Sequence, residues 1–220
     1  MTPFMDGRPG ADPDTVTVLW CTTDGDERRR ARALLLRSAA AMLDVPESEV
    51  WVEHEPGGRP CLGGAGGGLR VSVAHTRGAL AIALSERWPV GVDVEGVREL
   101  RAAAMGRAWF DPAEAAWIGG LPERERPAAF LWLWTQKEAV GKALGRGLRD
   151  GGMRRAVPLP SPWPPGPRPP LVPRPLPGRR DVLSLALGVD DGRHVVGVAL
   201  HRDGAEPSGE GAVRLQVRRV

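Results

Sequence analysis

Apolar and polar positions alternate over Thr15 to Cys21 (TVTVLWC), a β-rich run, and then fall into helical spacing from Asp26 to Leu43, with Leu34, Leu35 and Met42 toward one side. Asp24 with Glu27 three residues on is a capping-box pattern for that helix. Val50 to Glu53 is a short extended stretch and Gly57-Gly58-Arg59-Pro60 a turn, after which the glycines of Cys61 to Gly68 predict a loop. Alternation returns in Leu69 to Ala74, Ala79 to Leu84 and Val90 to Glu95, separated by Thr76-Arg77-Gly78 and Trp88-Pro89, which predicts a three-stranded meander. Arg98 to Trp109 and Pro112 to Ile118 read as helices, the second with Asp111 as N-cap and Pro112 at its first position. Ala128 to Leu144 is the strongest helix of the chain, stopped by Gly145 and Gly147. Asp181 to Val189 and His194 to His201 form a hairpin around Asp191-Gly192, and Val213, Leu215 and Val217 alternate as a last strand.

The order of helix and strands in the first half recurs loosely in the second, so the expected fold is α+β. Two lobes, each a small antiparallel sheet with a packed helix, would face one another across a cleft. We place a tail at 1–14, an N-terminal lobe at 15–97 and a C-terminal lobe at 98–220. The second lobe carries a Pro-rich insertion at 158–177, since 11 of the 22 prolines lie between Pro158 and Pro177. That segment is expected to be extended or irregular: an inserted surface loop, or a ligand for a proline-reading domain.

Composition excludes several classes. Hydrophobic residues at 42% and charged residues at 26% rule out a wholly disordered or fibrous chain. No apolar run approaches the ~18 residues of a membrane span, and the first 14 residues hold no apolar core for a signal peptide, so a cytoplasmic protein with no membrane partner is expected. Cys21 and Cys61 lack metal-ligand spacing and read as buried thiols. The net charge of +3 suits acidic partners, but no basic stripe interleaved with stacking aromatics points to nucleic acid. Of the 30 basic residues only Lys137 and Lys142 are lysines. In a chain that uses arginine elsewhere, they mark a place for a compact ammonium rather than a planar fork.

Candidate chemistry gathers at three places. In Gly91-Val92-Asp93-Val94-Glu95-Gly96 the period of two puts Val92 and Val94 on one face and Asp93 and Glu95 on the other. Adjacent carboxylates repel unless solvent or a cation neutralises them, and hard oxygen ligands select Mg²⁺ or Ca²⁺. In Trp134-Thr135-Gln136-Lys137-Glu138-Ala139-Val140-Gly141-Lys142-Ala143, Glu138 and Lys142 are one helical turn apart. They are either a surface ion pair or, given the apolar FLWLW just upstream, buried charge in need of a partner. A third carboxylate beside Asp93 and Glu95, with two ammonium groups nearby, describes a metal-assisted phosphate site. His75 stands with Thr76 at the exit of the strand ending at Ala74; it is structural, or a donor to phosphate oxygens. His54, His194 and His201 have no such setting. Glu114, in Asp111-Pro112-Ala113-Glu114, is accounted for by a capping box alone.

Taken in order, Gly58-Arg59-Pro60, Val73-Ala74-His75-Thr76, Gly91-Val92-Asp93-Val94-Glu95 and the run from Trp134 to Leu148 (WTQKEAVGKALGRGL) resemble the 4′-phosphopantetheinyl transferases of the Sfp type. The resemblance is strong from about Gly57 to Leu148, faint before, and almost absent through the prolines. It implies a pseudo-dimer of two α+β lobes with coenzyme A in the cleft. The implied reaction is Mg²⁺-dependent transfer of 4′-phosphopantetheine from coenzyme A to a serine of an apo acyl or peptidyl carrier protein, releasing 3′,5′-ADP. Carried over by position, it makes Asp93, Glu95 and Glu138 the metal ligands. Lys142 becomes a phosphate contact with Lys137 beside it, His75 and Thr76 hold phosphates, and Arg59 approaches the adenosine part. Glu138 is the first choice of base and Glu114 the second.

Ala74 departs from the serine many members have, Gly141 interrupts the functional helix at a cost of about 1 kcal/mol relative to Ala, and the lead before Arg32 is short. Arg28, Arg29, Arg30 and Arg32 are the replacements available for the adenosine phosphate. Internal pseudo-symmetry lets one chain form the whole site, so a monomer is expected. Two other functions stay open: a non-catalytic module of the same fold that binds coenzyme A or a carrier, and an interaction protein that docks through its proline-rich segment.

Overall fold

The computed structural model describes residues 14–149, 151–166, 171–202 and 213–220. The elements run β1 (Thr15–Thr22), α1 (Glu27–Leu43), β2 (Val50–His54), β3 (Pro60–Gly64), β4 (Arg70–Thr76), β5 (Ala79–Ser85), β6 (Val90–Gly96), α2 (Ala102–Trp109), α3 (Pro112–Gly120), α4 (Arg126–Ala143), β7 (Arg174–Leu176), β8 (Arg179–Val189), β9 (His194–His201) and β10 (Arg214–Arg219). They build two four-stranded sheets, ordered β10-β1-β5-β4 and β6-β9-β8-β7, and a β2-β3 hairpin. The fold is α+β, as expected.

Strand β5 sets the layers. All its residues are buried, its small side chains Ala79, Ala81 and Ala83 on one face and Leu80, Ile82 and Leu84 on the other. The alanine face meets Val90, Val92 and Val94 of β6 and Val196 and Val198 of β9, a core between the two sheets. The larger side chains pack on Leu34 and Leu35 of α1. On the far side of the second sheet, Phe130, Leu133 and Val140 of α4 cover Val195 and Ala199. The order is helix, sheet, sheet, helix.

The meander does not form. β4 and β5 pair as expected, but β6 pairs with β9 from Val90↔Leu200 to Gly96↔His194. Its valines then fill the core between the sheets while Asp93 and Glu95 turn toward α4, a division a strand at the edge of the first sheet could not provide. At the other end of the chain β10 lies parallel to β1. Each four-stranded sheet thus takes a strand from the opposite half of the sequence, across the division drawn at 97/98. Asp26, not Asp24, caps α1: its Oδ1 accepts the Arg29 N–H at 3.0 Å, and Glu27 instead accepts the Gly78 N–H at 3.0 Å. The glycines read as a loop include a strand, β3, because Gly63 and Gly64 leave room for the Trp51 ring of β2. A Cβ on Gly63 would lie 2.2 Å from Trp51 Nε1. Cys21 and Cys61, expected to be buried, are only half-buried.

The described part of the proline-rich segment is packed rather than looped out. The Pro158 carbonyl accepts from Gln136 Nε2 at 3.4 Å. Trp163 sits edge-on to Trp117 (5.4 Å) and Trp132 (5.6 Å) and donates its indole N–H to Glu125 at 3.2 Å. Arg174 donates to the Leu159 carbonyl, and β7 pairs with β8. Residues 167–170 of this segment, and 1–13 of the expected tail, lie outside the described residues.

Helix α4 lies against its sheet at backbone distance. A Cβ on Gly91 would be 1.9 Å from the Ala139 carbonyl oxygen, and one on Gly197 2.3 Å from that of Thr135. Gly91→Ala or Gly197→Ala must push the helix off the sheet. We expect either to cost about 3 kcal/mol and to lower Tm by roughly 6–12 °C, whereas Gly68→Ala, whose Cβ meets nothing within 4 Å, leaves Tm within about 2 °C. Thermal unfolding followed by circular dichroism decides this.

Candidate active site

Strand β6 is the edge of its sheet, so its outward backbone groups need partners from elsewhere. They find them in side chains from β4, α4 and the turn between β2 and β3. The Val92 N–H donates to Ser72 Oγ of β4 at 3.0 Å, the Val92 carbonyl accepts from Lys142 Nζ at 2.9 Å, and the Val90 carbonyl accepts from Arg59 at 3.4 Å. The same edge therefore fixes two cations of the candidate site.

Lys142 also donates to Asp93 Oδ1 at 2.8 Å. Glu95 accepts from Arg98 at 2.8 Å. Burial pushes the Asp93 carboxyl up to about 6; Lys142 opposes the shift and the charges of Glu138 and Glu95 add to it. Burial likewise raises Glu138, again with Lys142 opposing and Glu95 adding. The structure thus brings Asp93, Glu95, Glu138 and Lys142 into one electrostatic group, with negative charge in excess of what Lys142 offsets.

Among the described residues no three or more His, Cys, Asp and Glu side chains are already gathered to hold a metal ion. The residues present nevertheless fit one. Asp93 Oδ2 is buried without a hydrogen-bond partner, a costly state for a carboxylate oxygen. The donor set is all hard oxygen, and mutual repulsion among three carboxylates is what a divalent cation removes.

Two clefts meet beside this group. One, of about 230 Å³, is lined by Gly57, Gly58, Arg59, Ser72, Lys142 and Gly145 among others. The second, of about 330 Å³, is lined by Arg28, Arg32, His54 and His75. Pro60 and Val73 belong to both. Of the four arginines on offer, Arg28 and Arg32 line the cleft, while Arg30 reaches toward Asp24 at 4.0 Å. His54, set aside in the sequence, lines the same cleft as His75 because β2 and β4 flank it. Thr76 ends β4 and is half-buried. Gly141 is a requirement rather than a flaw: a Cβ there would be 2.3 Å from the Gly147 oxygen, and the N–H groups of Arg146 and Gly147 both donate to its carbonyl at 3.0 Å.

Lys137 and Glu114 are placed differently. Both are buried, Lys137 to 0% exposure, and they pair with one another at 2.6 Å. One residue along a helix is a 100° turn, so Lys137 faces the interior while Glu138 is turned toward the group of Asp93, Glu95 and Lys142. The pair lines neither cleft, and no ligand lying in them meets either side chain. Glu114 does hold the capping box, accepting the Asp111 N–H at 3.2 Å, as the simpler reading required. Sequence reasoning missed Ser72 and Arg98. Ser72 gave a faint signal as a polar residue inside an apolar strand; Arg98 was absorbed into a helix that starts only at Ala102.

The stretch that carries these carboxylates has known relatives. Residues 89–163 match the 4′-phosphopantetheinyl transferase superfamily. The resemblance drawn from the motifs is borne out, and the matched stretch contains Asp93, Glu95, Glu114, Lys137, Glu138 and Lys142. The 4′-phosphopantetheinyl transferase HetI of a Nostoc species is 29% identical over 129 residues, 56% of this chain and 54% of that protein. The 4′-phosphopantetheinyl transferase gsp of Aneurinibacillus migulanus is 24% identical over 115 residues, 52% of this chain and 46% of that protein. The 4′-phosphopantetheinyl transferase AcpT of Salmonella typhimurium is 32% identical over 115 residues, 52% and 56% of the two chains. The chain spans about half the length of these curated relatives. Among the described residues no helix is long and apolar enough to cross a membrane.

The raised Asp93 carboxyl gives a pH test. From its usual value of 3.8 up to about 6 the folded chain holds a proton that the unfolded chain has released. Asp93 therefore makes stability fall as pH rises through that window and stay level above it. Asp93→Asn removes this contribution, so relative to wild type the metal-free variant gains on the order of 2 kcal/mol between pH 4 and pH 7. Unfolding in EDTA across that range, compared between the two proteins, measures it; a constant difference means that Asp93 is not raised.

Proposed function

We propose that this protein is an Mg²⁺-dependent 4′-phosphopantetheinyl transferase. It uses coenzyme A as donor and the serine hydroxyl of an apo acyl or peptidyl carrier domain as acceptor. The observation that supports the reading is the electrostatic coupling of Asp93 with Glu95, Glu138 and Lys142 around an unpartnered buried Asp93 oxygen, with Lys142 also lining one of two adjoining clefts whose walls include Arg59, His75 and Arg28. One chain supplies all of these residues, so the active form is a monomer that works in the cytoplasm.

Phosphoryl transfer asks chiefly for alignment and charge neutralisation. The serine Oγ attacks the phosphorus next to the pantetheine, the bond from that phosphorus to the bridging oxygen breaks, and 3′,5′-ADP leaves with that oxygen. Asp93, Glu95 and Glu138 would hold Mg²⁺, which when bound polarises the attacked phosphoryl group. Lys142 leaves Asp93 for the phosphates and offsets the charge growing on the leaving group. Glu138, its carboxyl raised by burial, accepts the serine proton. Arg59 and His75, with Thr76 at the end of β4, hold the nucleotide end, and Arg28 and Arg32 give its ribose phosphate two more cations.

Incubation with an apo carrier, coenzyme A and Mg²⁺ is expected to yield carrier heavier by one phosphopantetheine, read by intact mass. EDTA abolishes the gain, and Glu138→Ala lowers the rate at least ~10³-fold. Calorimetric binding of coenzyme A with no mass gain on any of a panel of carriers would instead mark a non-catalytic module.

A further inference from the structure

We infer that the buried Lys137–Glu114 pair is a strut that fixes the rotation of α4, and that Glu114 is a positioning residue for the site and not its base. The inference rests on the transferase reading above.

Both carboxylate oxygens and the ammonium of the pair are bonded inside the protein. Glu114 Oε1 accepts the Val157 N–H at 2.8 Å; Oε2 accepts Lys137 Nζ at 2.6 Å and the Asp111 N–H at 3.2 Å. Lys137 Nζ also donates to the Arg155 carbonyl at 2.5 Å and lies 4.8 Å above the Phe110 ring. Burial draws the Lys137 ammonium below its usual value, and the Glu114 charge opposes that shift. A carboxylate 2% exposed, with both oxygens occupied, offers nothing to an incoming hydroxyl.

The pair ties α4 to the start of α3 and to the segment at 155–157, on the side of the helix away from β6. Gly91 and Gly197 set how close α4 approaches the sheet, but a glycine contact has no side chain with which to resist turning. Packed side chains and the Ser184–Gln136 hydrogen bond resist turning on the sheet side, and the strut adds a fixed point on the opposite side. Glu138 follows Lys137 directly, and Lys142 must meet both Asp93 Oδ1 and the Val92 carbonyl; a modest rotation of α4 breaks both contacts.

The test uses Glu114→Gln, Lys137→Met and the double variant, each in the full chain, with carrier transfer and crystal structures as readouts. A lone buried charge disrupts its surroundings, while a neutral pair of the same shape does so far less. Each single variant is expected to lose about 10- to 100-fold in kcat, with KM for coenzyme A within about 3-fold and the acid limb of the pH profile unmoved. Its Lys142–Asp93 contact opens beyond hydrogen-bond distance. The double variant restores the 2.8 Å contact and recovers kcat to within about 5-fold of wild type.

A double variant as inactive as Glu114→Gln, with that contact intact, overturns the inference and makes Glu114 a catalytic group. Single variants with lowered Tm but wild-type kcat and an intact contact overturn it too, leaving the pair merely structural. If the single variants do not fold, the double variant decides by the same two readouts. If wild-type protein transfers nothing, the transferase reading fails, while the crystallographic contact still reports on the strut.

Discussion

The backbone of α4 touches the backbone of β6 and β9 because Gly91 and Gly197 carry no side chain, and the arrangement of charge around the site follows from that contact. On a strand, Asp93 and Glu95 necessarily point the same way as Gly91. A helix standing off at the usual distance would leave water around them. Held this close, it buries Asp93 and sets Glu138 and Lys142 on the turns that flank the carboxylates. Both the raised Asp93 and Glu138 carboxyls and the orphaned Asp93 oxygen are consequences of the glycines. The same reasoning explains Gly141, where helix propensity is given up so that the Gly147 turn can fold back beneath Lys142.

Two cations stand among the carboxylates: Lys142 on Asp93 and Arg98 on Glu95. Neither is idle. An unpaired carboxylate in this setting would protonate or distort the strand, so the ion pairs keep the acidic groups in place. Lys142, 30% exposed, can swing from Asp93 to a ligand in the adjoining cleft. Lys137, fully buried, cannot. Two lysines five residues apart thus have opposite duties, and helical rotation alone separates them.

That difference marks where sequence reading succeeded and where it stopped. Strand and helix placement was legible wherever periodicity was unbroken, as in β5, α4 and the β8–β9 hairpin. The faces that carry Asp93 with Glu95 and Glu138 with Lys142 were legible because D-x-E on a strand and E-x-x-x-K on a helix each fix a face. Which sheet β6 joins was not, since alternation states that a strand has two faces and says nothing about which neighbour lies along its edge. The strand in the Gly-rich stretch after Cys61 was hidden for another reason: its glycines exist to seat Trp51, a contact that lies outside their own segment. The burial of Lys137 and Glu114 was equally out of reach, because a buried ion pair needs two residues that are 23 positions apart, and each looked locally sufficient as a phosphate contact or a cap. The prolines misled in the opposite direction, since polyproline composition reads as solvent-exposed chain until Trp163 is seen to lodge between Trp117 and Trp132.

The exchange of strands between the sheets has a mechanical consequence for the site. Arg59, Ser72 and His75 come from elements of the first sheet and its hairpin; Asp93, Glu138 and Lys142 come from the second sheet and its helix. They meet only along the seam where β4 runs beside β6, closed by the Ser72–Val92 and Arg59–Val90 hydrogen bonds. If each half kept its own strands, that seam would be an interface between two separately stable units, free to open. With β6 in the second sheet and β10 in the first, the sequence halves divided at 97/98 cannot part without breaking a sheet. The clefts and the carboxylates are therefore held in register by the cooperative stability of the whole chain, and a substitution far from the chemistry that loosens either sheet acts directly on the geometry of the site.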